Sequence, residues 1–180
     1  VFPQGAAALY TMDKKVGNYI IVDVGGLTID VAQIEMDYGS PRIEKSDTWY
    51  RGMRTLHSTV IEAVNLKYGL RLETRKADEI LQHGLKVRGQ EQDLTFLQPI
   101  LQDYIQPIVE DIKLNYPDVE TIPIYLCGGG AKLVHKALAK RFYEVNIMED
   151  CQFSNALGYY QVGLRMFDKY LRQPTVRSGK

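Results

Sequence analysis

Two carboxylates bracket a glycine pair in the stretch Asp23 to Val31, DVGGLTIDV, and their types and spacing could serve phosphate chemistry. Gly25 and Gly26 allow positive φ and put no Cβ between backbone N–H groups and a ligand, so a turn built on them can cradle an anion. Asp23 and Asp30 by themselves would repel that anion. With a hydrated Mg²⁺ standing between carboxylates and phosphates, the like charges no longer meet. Strand-Gly-Gly-strand is equally an ordinary hairpin signal, so the reading depends on context. That context is a second glycine break, Gly128-Gly129-Gly130, which ends the apolar run Ile122 to Cys127 and opens a helix-forming stretch at Ala131. A helix N-terminus favours negative charge. If both breaks sit at strand ends on one edge of a mixed sheet they face one cleft, which suits a nucleotide: phosphates at Gly25-Gly26, nucleoside near Gly128 to Ala131.

The elements that must position these residues follow from periodicity. Tyr19-Ile20-Ile21-Val22 reads as an apolar strand, and no helix follows the first glycine pair. Strand chemistry resumes from about Leu27 to Met36, with Ile29, Val31 and Ile34 set against Thr28 and Asp30. Gly39-Ser40-Pro41 predicts a turn and Arg42 to Tyr50 a third strand, which makes an antiparallel meander. Ahead of it, Gln4 to Met12 has helix formers with Pro3 where a first turn tolerates it. From Gly52 to Tyr68 the period is helical, with Leu56, Val60, Ala63 and Val64 on one stripe and Gly69 as C-cap. The charged stretch Leu70 to Gln92 holds a short helix over Thr74 to His83. Asp93 can cap a long helix striped by Leu97, Leu101, Tyr104, Ile108 and Ile112, with Pro107 expected to kink it. A strand over Ile122 to Cys127, a helix over Ala131 to Arg141, a strand over Glu144 to Met148 and a helix over Phe153 to Leu171 complete the order. Arg172 to Lys180 reads as a disordered tail. The expectation is an α/β fold, a mixed sheet with helices on both faces.

Whole-chain properties narrow the function. With 22 acidic and 22 basic side chains in 180 residues, the chain lacks the cationic excess of a direct nucleic-acid or membrane-surface binder. Cys127 and Cys151 stand in apolar sequence without CxxC spacing, which fits buried thiols in a reducing cytoplasm. His57, His83 and His135 have no metal-ligand spacing, and no GxSxG elbow anchors a hydrolytic triad. Tyr104, Tyr159 and Tyr160 read as packing residues. No apolar run reaches membrane-spanning length. Val1-Phe2-Pro3-Gln4 has no initiator Met and starts in apolar sequence, so an N-terminal domain is expected to precede it.

Four stretches in this order, VFPQGAAAL, YIIVDVGGLTIDVAQIE, IYLCGGGAKLV and FSNALGYY, resemble the second half of the actin-like ATPase superfamily, which includes actin, the seventy-kilodalton heat-shock chaperones and the sugar kinases. The layout is most similar to the plasmid-segregation actins of the ParM/StbA type. The resemblance implies a ribonuclease-H-like fold: residues 1–12 ending a linking helix, 13–51 and 119–171 forming the core, 52–118 carrying helices with a small inserted helical subdomain, and 172–180 a tail. It also implies ATP or ADP with Mg²⁺. Asp23 would hold the metal through water; Gly25, Gly26, Leu27, Thr28 and Asp30 would form the second phosphate loop; Gly128, Gly129, Gly130 and Ala131 would form the adenosine motif. Leu27 departs from the Gly or small polar residue usual there. Gln4 falls where the family orients its attacking water, so Gln4 and Asp23 are the catalytic candidates. Lys76 and Glu79 are candidates for the nucleoside end, and Asn155-Ala156-Leu157-Gly158 matches a connecting motif. The implied function is an ATPase that assembles into filaments, a cytoplasmic cytoskeletal protein that moves plasmid DNA through an adaptor protein. A sugar or metabolite kinase and a non-filament scaffold of the same fold are the alternatives.

Overall fold

The computed structural model describes residues 6–12, 16–38 and 40–171, so Gln4, Gly39 and the tail 172–180 lie outside the described residues. The described residues begin with a 3-10 helix over Ala6–Thr11, tighter than the helix expected over Gln4 to Met12. Three strands follow: β1 (Gly17–Val24), β2 (Ile29–Asp37) and β3 (Ser40–Trp49). Then come α1 (Met53–Tyr68), α2 (Ala77–His83), the short strands β4 (Lys86–Val87) and β5 (Gln90–Glu91), and α3 (Gln98–Asn115). β6 (Ile124–Cys127), α4 (Ala131–Leu138), β7 (Val145–Ile147) and α5 (Ser154–Leu171) complete the fold.

The main sheet has the order β3-β2-β1-β6-β7. β1 pairs antiparallel with β2, and β2 with β3, whereas β1/β6 and β6/β7 are parallel. This is the mixed sheet expected, with the meander on one side and the crossover strands on the other. β1 occupies the middle. Its residues Tyr19 to Val24 are all buried, Asp23 included, because a central strand covered on both faces has no polar side to show. β2 departs from simple alternation: Ile29 and Val31 are buried near its start, Ala32, Ile34 and Met36 further on, so opposite faces are covered at its two ends. Opposite Gln33 and Ile34 the pairing with β3 slips by one residue, leaving Glu44 as the extra residue of a bulge.

One helix is stopped and another started by local sequence. Gly69 takes the left-handed conformation (φ 65°, ψ 33°) and its N–H returns to the Asn65 carbonyl, closing α1 as expected of a glycine C-cap. Asp93 receives both the N–H and the hydroxyl of Thr95 at 2.9 Å, starting a 3-10 turn that leads into α3. α3 runs without interruption through Pro107 and buries Ile108, Val109 and Ile112. α4 ends at Leu138, three residues short of the expected Arg141. The segment 52–118, expected to be helical, is not wholly so, because β4 and β5 form a two-stranded hairpin with Gly89 at φ 82°. At α5 the helix crosses the N-terminal turn so closely that a Cβ on Gly158 would collide with the backbone of Ala7. Tyr116 is fully buried, its hydroxyl 2.8 Å from Asp47 Oδ2 and 3.0 Å from the Val31 carbonyl, which ties the end of α3 to the meander. No described helix is long and apolar enough to cross a membrane.

Candidate functional site

The turn between β1 and β2 is shaped by the helix that follows the meander. Gly25 N–H closes it on the Thr28 carbonyl at 2.9 Å. The carbonyls of Leu27, Gly25 and Gly26 then accept the N–H groups of Gly52, Met53 and Arg54 at 2.9, 3.0 and 2.9 Å. These are donors that the first turn of α1 would otherwise leave unsatisfied. A Cβ at Gly52 would strike Gly26 and Leu27, so a glycine is required where α1 lands on the turn. With their carbonyls committed to α1, the turn residues keep their amides elsewhere. Among the described residues, the N–H groups of Gly26, Leu27 and Thr28 have no hydrogen-bond partner. Three consecutive unpaired N–H groups form a concave donor array suited to an anion.

Two expectations about this turn change in detail. Neither Gly25 nor Gly26 has a positive φ, so they are not needed for a left-handed backbone. Gly26 offers open space instead: an added Cβ there would meet nothing within 4 Å of the protein, leaving an approach for a ligand. Leu27 fits without strain, because its side chain points outward, 61% exposed, while its backbone caps α1.

The second glycine break is locked to the first strand. Gly128 is left-handed (φ 84°), its N–H bonds the Cys151 carbonyl at 2.7 Å, and a Cβ there would collide with Asp23 Oδ1 and the Val24 carbonyl. Gly130 donates to the Val24 carbonyl at 3.0 Å and is packed under Val24 and Met53. Between them Gly129 is exposed, has open space above it and, among the described residues, an unpartnered N–H. Ala131 is buried as the first residue of α4.

Asp23 and Asp30 are direct partners across β1 and β2. Thr28 and Thr48 donate their hydroxyls to Asp30 at 3.0 and 2.5 Å. Asp23 is only 9% exposed and, among the described residues, accepts one donor, Asn155 Nδ2 at 2.6 Å, from the start of α5. Burial pushes the Asp23 carboxyl above its ordinary range; the Asn155 hydrogen bond opposes this and the Asp30 charge adds to it. No cationic side chain is paired with either carboxylate among the described residues, and none of those residues forms a cluster of three or more acidic, His or Cys ligands. Two carboxylates beside a donor array fit a divalent cation held through its water shell, with the remaining coordination supplied by the anion.

A cavity of about 270 Å³ joins the two glycine breaks, lined by Gly25 and Gly26 on one side and Gly129 and Gly130 on the other. A neighbouring cavity of about 370 Å³ shares Gly129 with it and extends past Lys132 and Asp150. His57 of α1, Asp78 and Gln82 of α2, and Gln152 close the first cavity; sequence reasoning gives His57 no role as a ligand and does not point to the other three. His57 Nε2 lies 3.0 Å from Asp78 Oδ1, yet it is buried and lacks an aligned hydrogen bond. Lys76 and Glu79 stand outside this cavity. They pair with each other at 2.6 Å and line a separate hollow with His83 and Lys86. The signal available in the sequence was the apolar pair Ala77 and Ile80, both buried, which fixes the inward side of α2 and puts Asp78 and Gln82, one turn apart, together on its flank. Thus the structure gathers Gly25, Gly26, Gly129 and Gly130 around one space; Asp23, Asp30 and Gly128 contact one another next to these turns without lining it, and Lys76 and Glu79 lie elsewhere.

Comparison with known proteins follows the same lines. The family model described as "Archaeal actin homologue MreB-like, C-terminal" matches residues 21–140. The structure of Ta0583, an archaeal actin homolog, in complex with ADP is 27% identical, with a TM-score of 0.74, covering 91% of this chain and 57% of that one. A ParM filament structure from Clostridium botulinum (22% identity, TM-score 0.72, covering 91% and 52%) and MreB 5 of Spiroplasma citri bound to AMPPNP (15%, 0.70, covering 93% and 60%) share the fold. The chain therefore spans little more than half the length of these structures. No curated protein matches it.

Proposed function

The chain belongs to the archaeal MreB-like actin homologues, as their C-terminal part, and from that premise we propose that it supplies one wall of an ATP site in an actin-like ATPase that assembles with copies of itself. The observation that carries this reading is the convergence of the Gly25-Gly26 and Gly129-Gly130 turns on one cavity, with unpartnered N–H groups on both sides and Asp23 and Asp30 beside them. The free amides of Gly26, Leu27 and Thr28 would bind phosphate oxygens. Asp23, oriented by Asn155, and Asp30, oriented by Thr28 and Thr48, would hold a hydrated Mg²⁺ that offsets the charge of the phosphates. Gly129 and Ala131 would border the nucleoside end, with Asp78 and Gln82 nearer to it than Lys76 and Glu79. An ADP complex of the Ta0583 relative supports the choice of ligand.

In this reading Gln4 orients the attacking water. A Gln is not a base at neutral pH, so hydrolysis rests on positioning and charge stabilisation and is slow. Nucleotide bound across two domains favours the assembling conformation and its hydrolysis loosens the polymer. The finer assignment, movement of plasmid DNA in the cytoplasm, would run through an adaptor protein, since the chain's 22 acidic and 22 basic residues give no cationic excess for holding DNA directly.

The test is pelleting and light scattering of the intact protein with Mg-ATP, run beside phosphate release and a thermal shift with Mg-ADP. ATP-dependent scattering that decays as phosphate appears, and that Asp23→Ala abolishes, is the expected result. A thermal shift unchanged by Asp23→Ala removes the site assignment; a normal shift with no polymer removes self-assembly alone. Gln4→Ala turnover equal to the parent's removes Gln4 from the mechanism.

A further inference from the structure

α3 and α4 border a groove of about 390 Å³ that shares no lining residue with the cavity of the proposed ATP site. Along one bank Gln98, Gln102 and Gln106 recur every fourth residue of α3, and helical geometry puts them in one row about 12 Å long. The other bank is cationic. Lys136 and Lys140 line the groove, and Lys132 continues their spacing toward the triple glycine. All three lysines are exposed, and none makes an ion pair or hydrogen bond among the described residues. That sets them apart from Lys45, Lys76, Lys86 and Lys113, each of which has a carboxylate within 4 Å. Between the banks the floor is apolar: Leu101, Ile105 and Leu133 are half-buried at the edge of the core. Arg141 closes one end, held by Gln106 Oε1 at 3.1 Å, and Gln106 in turn donates to Glu110 at 2.7 Å.

We propose that this groove docks an acidic amphipathic helix of a partner protein. The apolar floor calls for an aliphatic stripe, the lysine bank for carboxylates at i and i+4 beside that stripe, and the glutamine bank for polar groups that both donate and accept. The pattern argues against the other anionic partners. A bilayer is too broad and smooth to enter a concave trough between two helices, and a nucleic-acid backbone gains nothing from a floor of Leu and Ile. Charge at the rim sets partner choice and encounter rate, and the three apolar residues supply the buried contact.

The probe is a labelled, alanine-based helical peptide of about 18 residues, carrying leucines on one stripe and glutamates at i, i+4 and i+8 beside it, with a twin in which lysine replaces each glutamate. Anisotropy is measured against the full chain, its Lys136→Glu/Lys140→Glu variant and its Leu133→Asp variant, with circular dichroism to confirm each fold. The glutamate peptide should bind the parent and lose about tenfold or more in affinity on the charge-reversed variant, which should now take the lysine twin instead; Leu133→Asp should weaken both. Equal binding of the two peptides to the parent, or no effect of charge reversal, overturns the proposal. So does displacement of the glutamate peptide by anionic vesicles or duplex DNA. Loss of pelleting in the charge-reversed variant, with no peptide bound by the parent, likewise overturns it in favour of a contact between copies.

Discussion

Three adjacent glycines, Gly128, Gly129 and Gly130, should respond to alanine in three different ways, because each is a glycine for a different reason. At Gly128 the backbone is left-handed at φ 84°, and the new methyl group would run into Asp23 Oδ1 and the Val24 backbone. The first effect costs about 1–2 kcal/mol for an L-residue, and overpacking against backbone adds about 1–3 kcal/mol. Gly128→Ala should therefore destabilise by about 2–5 kcal/mol, a large share of a typical total of about 5–15 kcal/mol. For a chain of this size that lowers the melting temperature by roughly 4–20 °C. Gly130→Ala meets Val24 Cγ1 and the Met53 side chain, whose ends can shift, so it should cost about 1–3 kcal/mol. Gly129→Ala meets no protein atom within 4 Å and should stay within about 0.5 kcal/mol of the parent. Its effect belongs to the ligand, because the open space lies on the cavity: a normal melt with a reduced Mg-ADP shift is expected. The assay is urea denaturation followed by circular dichroism and by fluorescence of Trp49, the sole tryptophan. Gly129→Ala destabilised as much as Gly128→Ala would refute the reasoning, as would a Gly128→Ala protein as stable as the parent.

The buried carboxylate yields a pH prediction. Because the Asp23 carboxyl is raised above its ordinary 3.8, its contribution to stability is present below that value and is lost as pH rises through the raised one. Asp23→Asn should accordingly gain stability relative to the parent as urea melts move from pH 4 to pH 7 without Mg²⁺; an advantage that shrinks with rising pH contradicts the account. Asn155→Leu removes the donor to that carboxylate found among the described residues and should cost about 1.5–3 kcal/mol at pH 7, less at pH 3 where the carboxyl is neutral, as read by the same melts. Tyr116→Phe leaves the Val31 carbonyl and Asp47 without the buried hydroxyl and should cost about 1–3 kcal/mol; a neutral substitution would show that water replaces it.

Much of the frame can be read from local chemistry. The apolar run through Ile20 to Val22, the resumption of strand pattern after Gly26, and the helix-period stripe at Leu56, Val60 and Val64 each have one economical solution, and the mixed sheet follows from their order. Asp23, Gly25, Gly26 and the triple glycine can be picked out because two glycine breaks, one of them bracketed by carboxylates, each end an apolar strand run, a combination more specific than either break alone. What side chains share across distant elements is not written in that way. Asn155 reaches Asp23 across 132 positions of sequence, and His57, Asp78, Gln82 and Gln152 come to one cavity from two helices and a loop. The helix expected over Thr74 to His83 offers Lys76 and Glu79 as readily as Asp78 and Gln82; only packing of Ala77 and Ile80 on the core decides which pair faces the glycines. The role of Gly25 and Gly26 is likewise tertiary. Taken alone they suggest a left-handed turn, yet in the fold their carbonyls cap α1 and their freedom from strain leaves three amides open, because the helix N-terminus, not the turn, needed the hydrogen bonds.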